Sequence, residues 1–111
     1  MGRRGNYDRL VRFERAATVR TAIGTIEQGE WTLIQEAWAK LLFGTGAERR
    51  EAAATEASQS ATFRVTSTAA LRGVTERDRI VMAGRAWQIV SISPVGGEAR
   101  DIEFVATAQK D

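Results

Sequence analysis

The chain has 111 residues, of which 43% are hydrophobic, enough for one domain with a modest core and too many for a disordered chain. It contains no Cys and no His, which excludes disulfides, thiolate metal sites and the commonest general base. The formal net charge is only +2, and no apolar run approaches the ~20 residues that a membrane-spanning helix needs.

The N-terminal segment has the largest local charge imbalance. Residues 1–25 hold six Arg against two acidic residues. Guanidinium groups suit phosphate recognition, so this basic arm is a candidate for contact with nucleic acid or an acidic protein surface. The chain-wide preference for Arg over Lys is better explained by GC-rich coding. Residues 1–7 predict a flexible tail without the apolar stretch of a secretory signal, followed by a single domain over residues 8–109.

The first strand is predicted where RLVRFER begins at Arg9, because Val11 and Phe13 alternate with residues on a wet face. Residues 16–30 lack a sustained period and contain two glycines, so they predict a long loop, with a short strand at residues 22–26 as an option. Loops of this length in a small domain are unusual unless they carry function. The segment is therefore a candidate functional site.

Residues 31–43, WTLIQEAWAKLLF, fit two kinds of element. Their apolar side chains recur at intervals of three and four, as in a helix, and they also share the parity of a strand. Periodicity alone leaves both open.

A surface helix is predicted at about residues 46–58. Thr45 followed by Glu48 is a capping-box pattern, and the body AERREAAATEAS is built of strong helix formers. Its apolar face is only alanine, so the helix is expected to lie lightly on the surface or to pack against another subunit. The candidate interface residues are Ala47, Arg50, Ala54 and Ala57.

The C-terminal half predicts four more strands. The first covers residues 61–68, and a connecting loop at residues 69–76 follows. Ile, Val, Phe and Trp then dominate three further runs, separated by Gly84-Arg85 and by a turn with Pro94 and two glycines. These runs, residues 79–83, 86–93 and 101–107, predict an antiparallel meander.

No catalytic or metal site is predicted. The carboxylates are scattered, and Asp101 with Glu103 is expected on the exposed face of a strand. The sequence around Gly44 and Gly46 lacks the Lys-Ser/Thr ending of a phosphate-binding loop. We expect no enzyme activity and no cofactor. Trp87 is expected in the core, and Trp31 and Trp38 are expected in packing contacts rather than in base stacking.

The ordered motifs along the chain point to one family. They are RLVRFER, AWAKL, GAE at the helix start, ATFRV, DRIVMAGRAWQIVSI and ARDIEFVAT. In this order and spacing, over residues 9–108, they resemble the head–tail adaptor, or head-closure, family of long-tailed bacteriophages. The resemblance implies a mainly β fold, a small antiparallel β-barrel of about six strands with an inserted helix, and it favours a strand for residues 31–43. The Arg- and Ala-rich composition also suits a prophage or gene transfer agent.

The resemblance implies a structural virion protein that is assembled in the host cytoplasm and located in the neck. Six or twelve copies would form a ring. The ring would lie between the portal and adaptor above and the tail terminator or tail tube below, closing the DNA channel after packaging and docking the tail. Membranes are not expected among its partners.

The same resemblance assigns the 16–30 loop to the channel, as a gate or a tail-docking finger. Its candidate residues are Arg20, Thr21, Ile23, Gly24, Thr25, Ile26, Glu27 and Gly29. Arg20, Arg3 and Arg4 would contact double-stranded DNA phosphates non-specifically. Two alternatives stay open: a tail-terminator ring protein of the same particle, and a barrel of the OB type that binds nucleic acid.

Overall fold

The structure is a computed structural model that describes residues 7–24, 26–43 and 58–109. These residues form six strands, a one-turn helix and a short 3-10 turn. In chain order the elements are β1 (Arg9–Arg20), β2 (Ile26–Phe43), β3 (Ser58–Thr66), α1 (Ala69–Arg72), β4 (Arg79–Met82), β5 (Arg85–Val95), the 3-10 turn (Gly97–Ala99) and β6 (Asp101–Gln109). The predicted mainly β, six-stranded architecture is confirmed.

The six strands close into a barrel with the order β1-β2-β3-β6-β5-β4. Every neighbouring pair is antiparallel, and β4 completes the circle by pairing with β1 at residues 12–14. The strand interpretation of residues 31–43 is confirmed, because they form most of the 18-residue strand β2. Among the described helices, none is long and apolar enough to cross a membrane.

The core lies inside the barrel and is built around aromatic pairs. Phe13 and Phe104 are fully buried, with their ring centroids 4.8 Å apart. Phe63 meets Trp87 edge-on at 5.3 Å, an arrangement that adds about 0.5–1.5 kcal/mol to what area burial provides. The prediction that Trp87 is a core residue is confirmed. Its indole N–H has no acceptor among the described residues.

Several element boundaries differ from the sequence predictions. Residues 16–30 are not a loop: β1 continues to Arg20 and β2 begins at Ile26. The segment 69–76 contains helix α1, whose first turn is capped by the Thr68 hydroxyl accepting from the Leu71 N–H. The β4–β5 turn is formed by Ala83 and Gly84, one residue earlier than predicted. The helix predicted at residues 46–58 lies outside the described residues, except for Ser58, which begins β3.

The first described residue is fixed to the barrel. Tyr7, at the end of the segment predicted to be a flexible tail, has a buried side chain whose hydroxyl donates to Asp101. Asp101 is 1% exposed, so its predicted place on an exposed strand face is wrong. Arg64 on β3 also donates to this carboxylate at 2.9 Å, and burial is tolerated because the charge is paired and hydrogen-bonded.

Candidate functional site

The first two strands extend beyond the barrel as a two-stranded hairpin. β4 pairs with β1 only at residues 12–14, and β3 pairs with β2 only at residues 39–43. β1 and β2, by contrast, pair with each other as far as Arg20 and Ile26. Residues 16–24 and 26–31, named the distal hairpin below, therefore have no further strand beside them in the described part of the chain. Residues 16–20 of β1, at ~3.4 Å each, make this part of the hairpin about 17 Å long.

The end of the distal hairpin is a tight turn with an exposed apolar side chain. The Gly24 N–H donates to the Thr21 carbonyl at 3.0 Å, which closes the turn. Gly24 has a φ of +90°, a conformation that glycine adopts without the steric cost of a Cβ atom. Ile23 beside it is 86% exposed. The hairpin thus ends in one apolar side chain that the described chain leaves exposed.

The structure brings most of the predicted channel residues together in this one hairpin. The prediction of a loop at residues 16–30 was wrong. These residues lack a regular alternation of apolar and polar side chains although most of them belong to strands. The β1–β2 register shifts between Ala16 and Thr18, so alternation is broken within two continuous strands. Of the predicted residues, the hairpin holds Arg20, Thr21, Ile23, Gly24, Ile26, Glu27 and Gly29. Thr25, Arg3, Arg4, Ala47, Arg50, Ala54 and Ala57 lie outside the described residues.

A buried carboxylate between two arginines fixes one side of the base of the distal hairpin, where the hairpin joins the barrel. Glu14 accepts from Arg79 Nε at 2.9 Å and from Arg12 Nε at 3.2 Å. Burial works to raise the pKa of Glu14, but the hydrogen bonds from the two guanidinium groups outweigh it and lower that pKa below 4.5. The Arg79 guanidinium also lies 4.2 Å from the centroid of the Trp31 ring. Trp31, where β2 enters the distal hairpin, is thereby tied to β4.

A second ion pair fixes the other flank of the base. Arg15 donates through Nε and Nη2 to both carboxylate oxygens of Asp78 at 3.0 Å, and Nη2 also donates to the Gly73 carbonyl at 2.8 Å. The Thr75 N–H donates to Asp78 at 2.8 Å. Burial works to raise the pKa of Asp78, but these hydrogen bonds outweigh it and hold that pKa below its ordinary value. Residues just before the distal hairpin are therefore held rigidly against the α1–β4 connection.

The exposed apolar side chains concentrate on the same two strands. Of the four large hydrophobic residues that are exposed within the described ranges, Leu10, Ile23 and Leu33 belong to the β1–β2 hairpin, and Val90 lies on β5. Leu10 pairs with Trp38 across the two strands. Ile23 lies in the distal hairpin, whereas Leu10 and Leu33 lie on the barrel part of β1 and β2.

The buried carboxylates of the described chain are held in ion pairs. No group of three or more acidic side chains within the described ranges could hold a metal ion. The buried carboxylates Glu14, Asp78 and Asp101 are each paired with an arginine. Such pairs stabilise the barrel and position the hairpin.

Sequence reasoning missed the structural role of these buried carboxylates. Asp78 has a local signal, because Thr75-x-x-Asp78 is the type of pattern in which a carboxylate accepts from a nearby backbone N–H. Asp101 has none, since Arg64 and Tyr7 are 37 and 94 positions away. The contact of Arg79 with the Trp31 ring was also missed, because the two residues lie far apart in the sequence.

Comparison with known proteins gives a consistent set of similarities. The model of the phage head completion protein family matches residues 2–109. A chain from the virion of a native gene transfer agent particle has a similar structure, with a TM-score of 0.69 and 24% identity over 92% of this chain and 94% of that one. The solution structure of protein SF1141 from Shigella flexneri 2a superposes with a TM-score of 0.67 at 16% identity, covering 94% of each chain. No curated protein sequence matches.

Proposed function

Because this chain belongs to the phage head completion protein family, we propose that it is a ring-forming subunit in the neck of a phage-type particle. Membership makes it a structural protein of a virion. The proposal adds the position of the protein: a ring beneath the portal and adaptor that closes the DNA channel after packaging and presents a docking face to the tail. Similarity to a chain of a gene transfer agent virion supports a place in such a particle.

The distal hairpin is the observation that carries the proposal. A closed barrel has no free strand edges of its own and makes a rigid wall element. The distal hairpin leaves that wall as a two-stranded arm with an exposed Ile23 at its end. In a ring every copy contributes one arm. Arms that point toward the axis would narrow the channel, and arms that point along it would meet the tail.

The polar contacts with DNA would be non-specific. Arg20 lies at the end of β1, next to the turn of the distal hairpin. Together with Arg3 and Arg4 it would meet phosphates of the packaged double-stranded DNA. Such contacts depend on salt because they release counterions. They would slow the DNA without reading its sequence.

Contacts between copies and with neighbouring proteins would use two surfaces. One is the alanine-rich segment with Ala47, Arg50, Ala54 and Ala57. The other is the outer face of β1 and β2, where Leu10 and Leu33 are each about half exposed. A head-to-tail interface of this kind closes into a ring when the rotation between copies divides a full turn. We propose six or twelve copies, with the portal or adaptor above and the tail terminator or tail tube below.

Shortening the distal hairpin tests this function. Deleting three paired positions from each strand, residues 18–20 and 26–28, keeps the turn and the pairing of the remaining residues. We expect the shortened protein to fold and to enter particles, which then lose packaged DNA or fail to join tails. Val90→Ser, on the exposed side of β5, is the control and should leave both steps unchanged.

Two results would contradict the proposal. One is a full yield of tailed, DNA-filled particles with the shortened hairpin. The other is a chain that never enters particles, stays monomeric and binds oligonucleotides tightly, which would favour the nucleic-acid-binding barrel. Particle yield, DNA retention after nuclease treatment and electron microscopy of the neck measure these outcomes.

A further inference from the structure

We infer that the end of the barrel beside the distal hairpin is a further DNA-binding surface, on which Arg72, Arg77 and Arg100 contact phosphates of the packaged double-stranded DNA. The inference rests on the ring proposed above and assigns a partner to a part of the barrel outside the hairpin. Contacts to phosphates carry no sequence information, so this surface would bind DNA of any sequence.

The strand order brings three connections to one end of the barrel. Because neighbouring strands are antiparallel, β1, β3 and β5 end where β2, β4 and β6 begin. The distal hairpin leaves the barrel at this end, named the hairpin end below. The β3–β4 connection, residues 67–78, and the β5–β6 connection, residues 96–100, lie there as well. The first carries Arg72 and Arg77, and the second carries Arg100.

These three arginines differ from the others whose side chains the structure describes. Five arginines lie within 3.9 Å of a carboxylate oxygen: Arg9, Arg12, Arg15, Arg64 and Arg79. Arg85 donates to the Gln59 side chain. Arg72, Arg77 and Arg100 are exposed, and within the described ranges none of them takes part in an ion pair. Their charges are therefore available to a partner.

Arg72 and Arg100 lie on neighbouring segments that are joined through Ser67. Arg72 Nη1 donates to the Ser67 hydroxyl at 3.2 Å, and the Ser67 N–H donates to the Arg100 carbonyl at 2.8 Å. Like charges on neighbouring segments repel each other, and an anion that binds between them removes this cost. DNA presents phosphates at short, regular intervals along each strand, and guanidinium groups suit phosphate oxygens.

Arg77 extends this basic surface toward the distal hairpin. Its N–H donates to the Thr75 hydroxyl at 3.2 Å, which fixes the backbone of the connection. The next residue, Asp78, is paired with Arg15 at the base of the hairpin, so its negative charge is compensated. Arg20 follows at the end of β1. Basic residues thus continue from the hairpin end of the barrel along the arm that is proposed to meet the DNA.

Two exposed glutamates on the same connections distinguish DNA from a protein partner. Glu76 precedes Arg77, and Glu98 is two positions before Arg100; within the described ranges neither takes part in an ion pair. Glutamates repel phosphates, and the longer arginine side chains carry their charges past them. On a protein partner of mixed charge, the same glutamates would form attractive contacts. The excess of cations and the position beside the distal hairpin favour DNA.

DNA binding by the full-length protein tests the inference, with fluorescence anisotropy of a double-stranded DNA of mixed sequence between about 50 and 200 mM salt. Arg72→Gln, Arg77→Gln and Arg100→Gln should each weaken binding. Each should also lower the slope of log K against log salt concentration by about 0.9, as for one lost phosphate contact. Arg9→Gln is the matched control, because it removes the same charge from an exposed side chain at the start of β1. Its slope should equal that of the wild type.

The glutamates supply a second test with the opposite sign. Glu98→Gln removes a charge that repels phosphates, so it should tighten DNA binding. A protein partner predicts the reverse: Glu98→Gln would leave DNA binding unchanged and would weaken attachment of the chain to the neck of particles. That result would overturn the inference.

Two further outcomes separate this inference from the proposed function. A neck ring that is visible by electron microscopy, combined with equal salt slopes for Arg9→Gln and the three hairpin-end variants, overturns the DNA surface and leaves the ring intact. Absence of the wild-type chain from the neck overturns the proposed function, and packaged DNA as the ligand falls with it.

Discussion

The Tyr7 hydroxyl donates a 2.7 Å hydrogen bond to Asp101, 94 positions further along the chain. Asp101 begins β6, and its carboxylate also accepts from Arg64 on β3. The bond therefore joins the segment before β1 to the two strands on the far side of the barrel. Because the carboxylate is almost fully buried, each of its hydrogen bonds compensates for lost hydration.

Tyr7→Phe is expected to lower the free energy of unfolding by about 1.5–3 kcal/mol, the usual range for a hydrogen bond to a charged group. The substitution removes only the hydroxyl, so the change reports on the bond to Asp101. Urea denaturation measures it. Asp8→Asn is the control, because the Asp8 side chain is 59% exposed and its substitution should change stability by less than about 0.5 kcal/mol. Equal stability of Tyr7→Phe and wild type would show that the bond contributes nothing.

The barrel strands could be predicted wherever one face of a strand is buried. Val11, Phe13, Phe63 and Trp87 are all core residues, and each lies in a run with the period of a strand. Residues 31–43 could not be assigned from periodicity, because their apolar side chains fit a helix as well as a strand, and among the described ones only Ala39 is fully buried. The assignment of these residues to a strand came from the resemblance to a known family.

The distal hairpin could not be predicted as strands for a related reason. None of its described side chains belongs to the buried core, so no alternation of apolar and polar residues is selected. The register shift between Ala16 and Thr18 adds to the irregularity. The charged residues that fix its base were missed because their partners are distant in sequence: Arg15 meets Asp78 across 63 positions, and Glu14 meets Arg79 across 65.

Stability should fall in acid because of Asp78 and Glu14. Hydrogen bonds from arginines lower both pKa values in the folded protein, below 3.8 and 4.5 respectively. Their stabilisation is therefore complete above about pH 4.5 and is lost as the pH falls through the lower, folded pKa values. Asp78→Asn should cost about 2 kcal/mol at pH 7, and its difference from wild type should shrink by pH 3. Urea midpoints across this range measure the effect, and a constant difference would contradict it. Glu76→Gln, at an exposed neighbour, is the control at pH 7.

A substitution in the β4–β5 turn should stabilise the folded protein. Ala83 and Gly84 have φ values of +54° and +79°, so both positions need the left-handed region, as in a type I′ turn. Ala83→Asn should raise the free energy of unfolding by about 0.5–1 kcal/mol, because Asn tolerates this region better than Ala. Gly84→Ala should lower it by about 1 kcal/mol, through backbone strain alone, since no atom lies within 4 Å of the added Cβ. Thermal unfolding measures both effects. A change in the free energy of unfolding with the same sign in the two variants would contradict the assignment of a type I′ turn.

Trp31 should control the rigidity of the distal hairpin more than the stability of the barrel. Its ring contacts the Arg79 guanidinium where β2 leaves the barrel, a contact worth about 0.5–1 kcal/mol at a partly exposed site. Trp31→Leu should therefore speed amide hydrogen exchange of residues 16–31 several-fold while exchange in β5 and β6 stays unchanged. Leu33→Ser, two residues away and half exposed, is the control and should have little effect. An equal increase of the exchange rate in β5 and β6 would show that the hairpin and the barrel open together. The hairpin would then not be an independent arm, and the proposed role in the channel depends on such an arm.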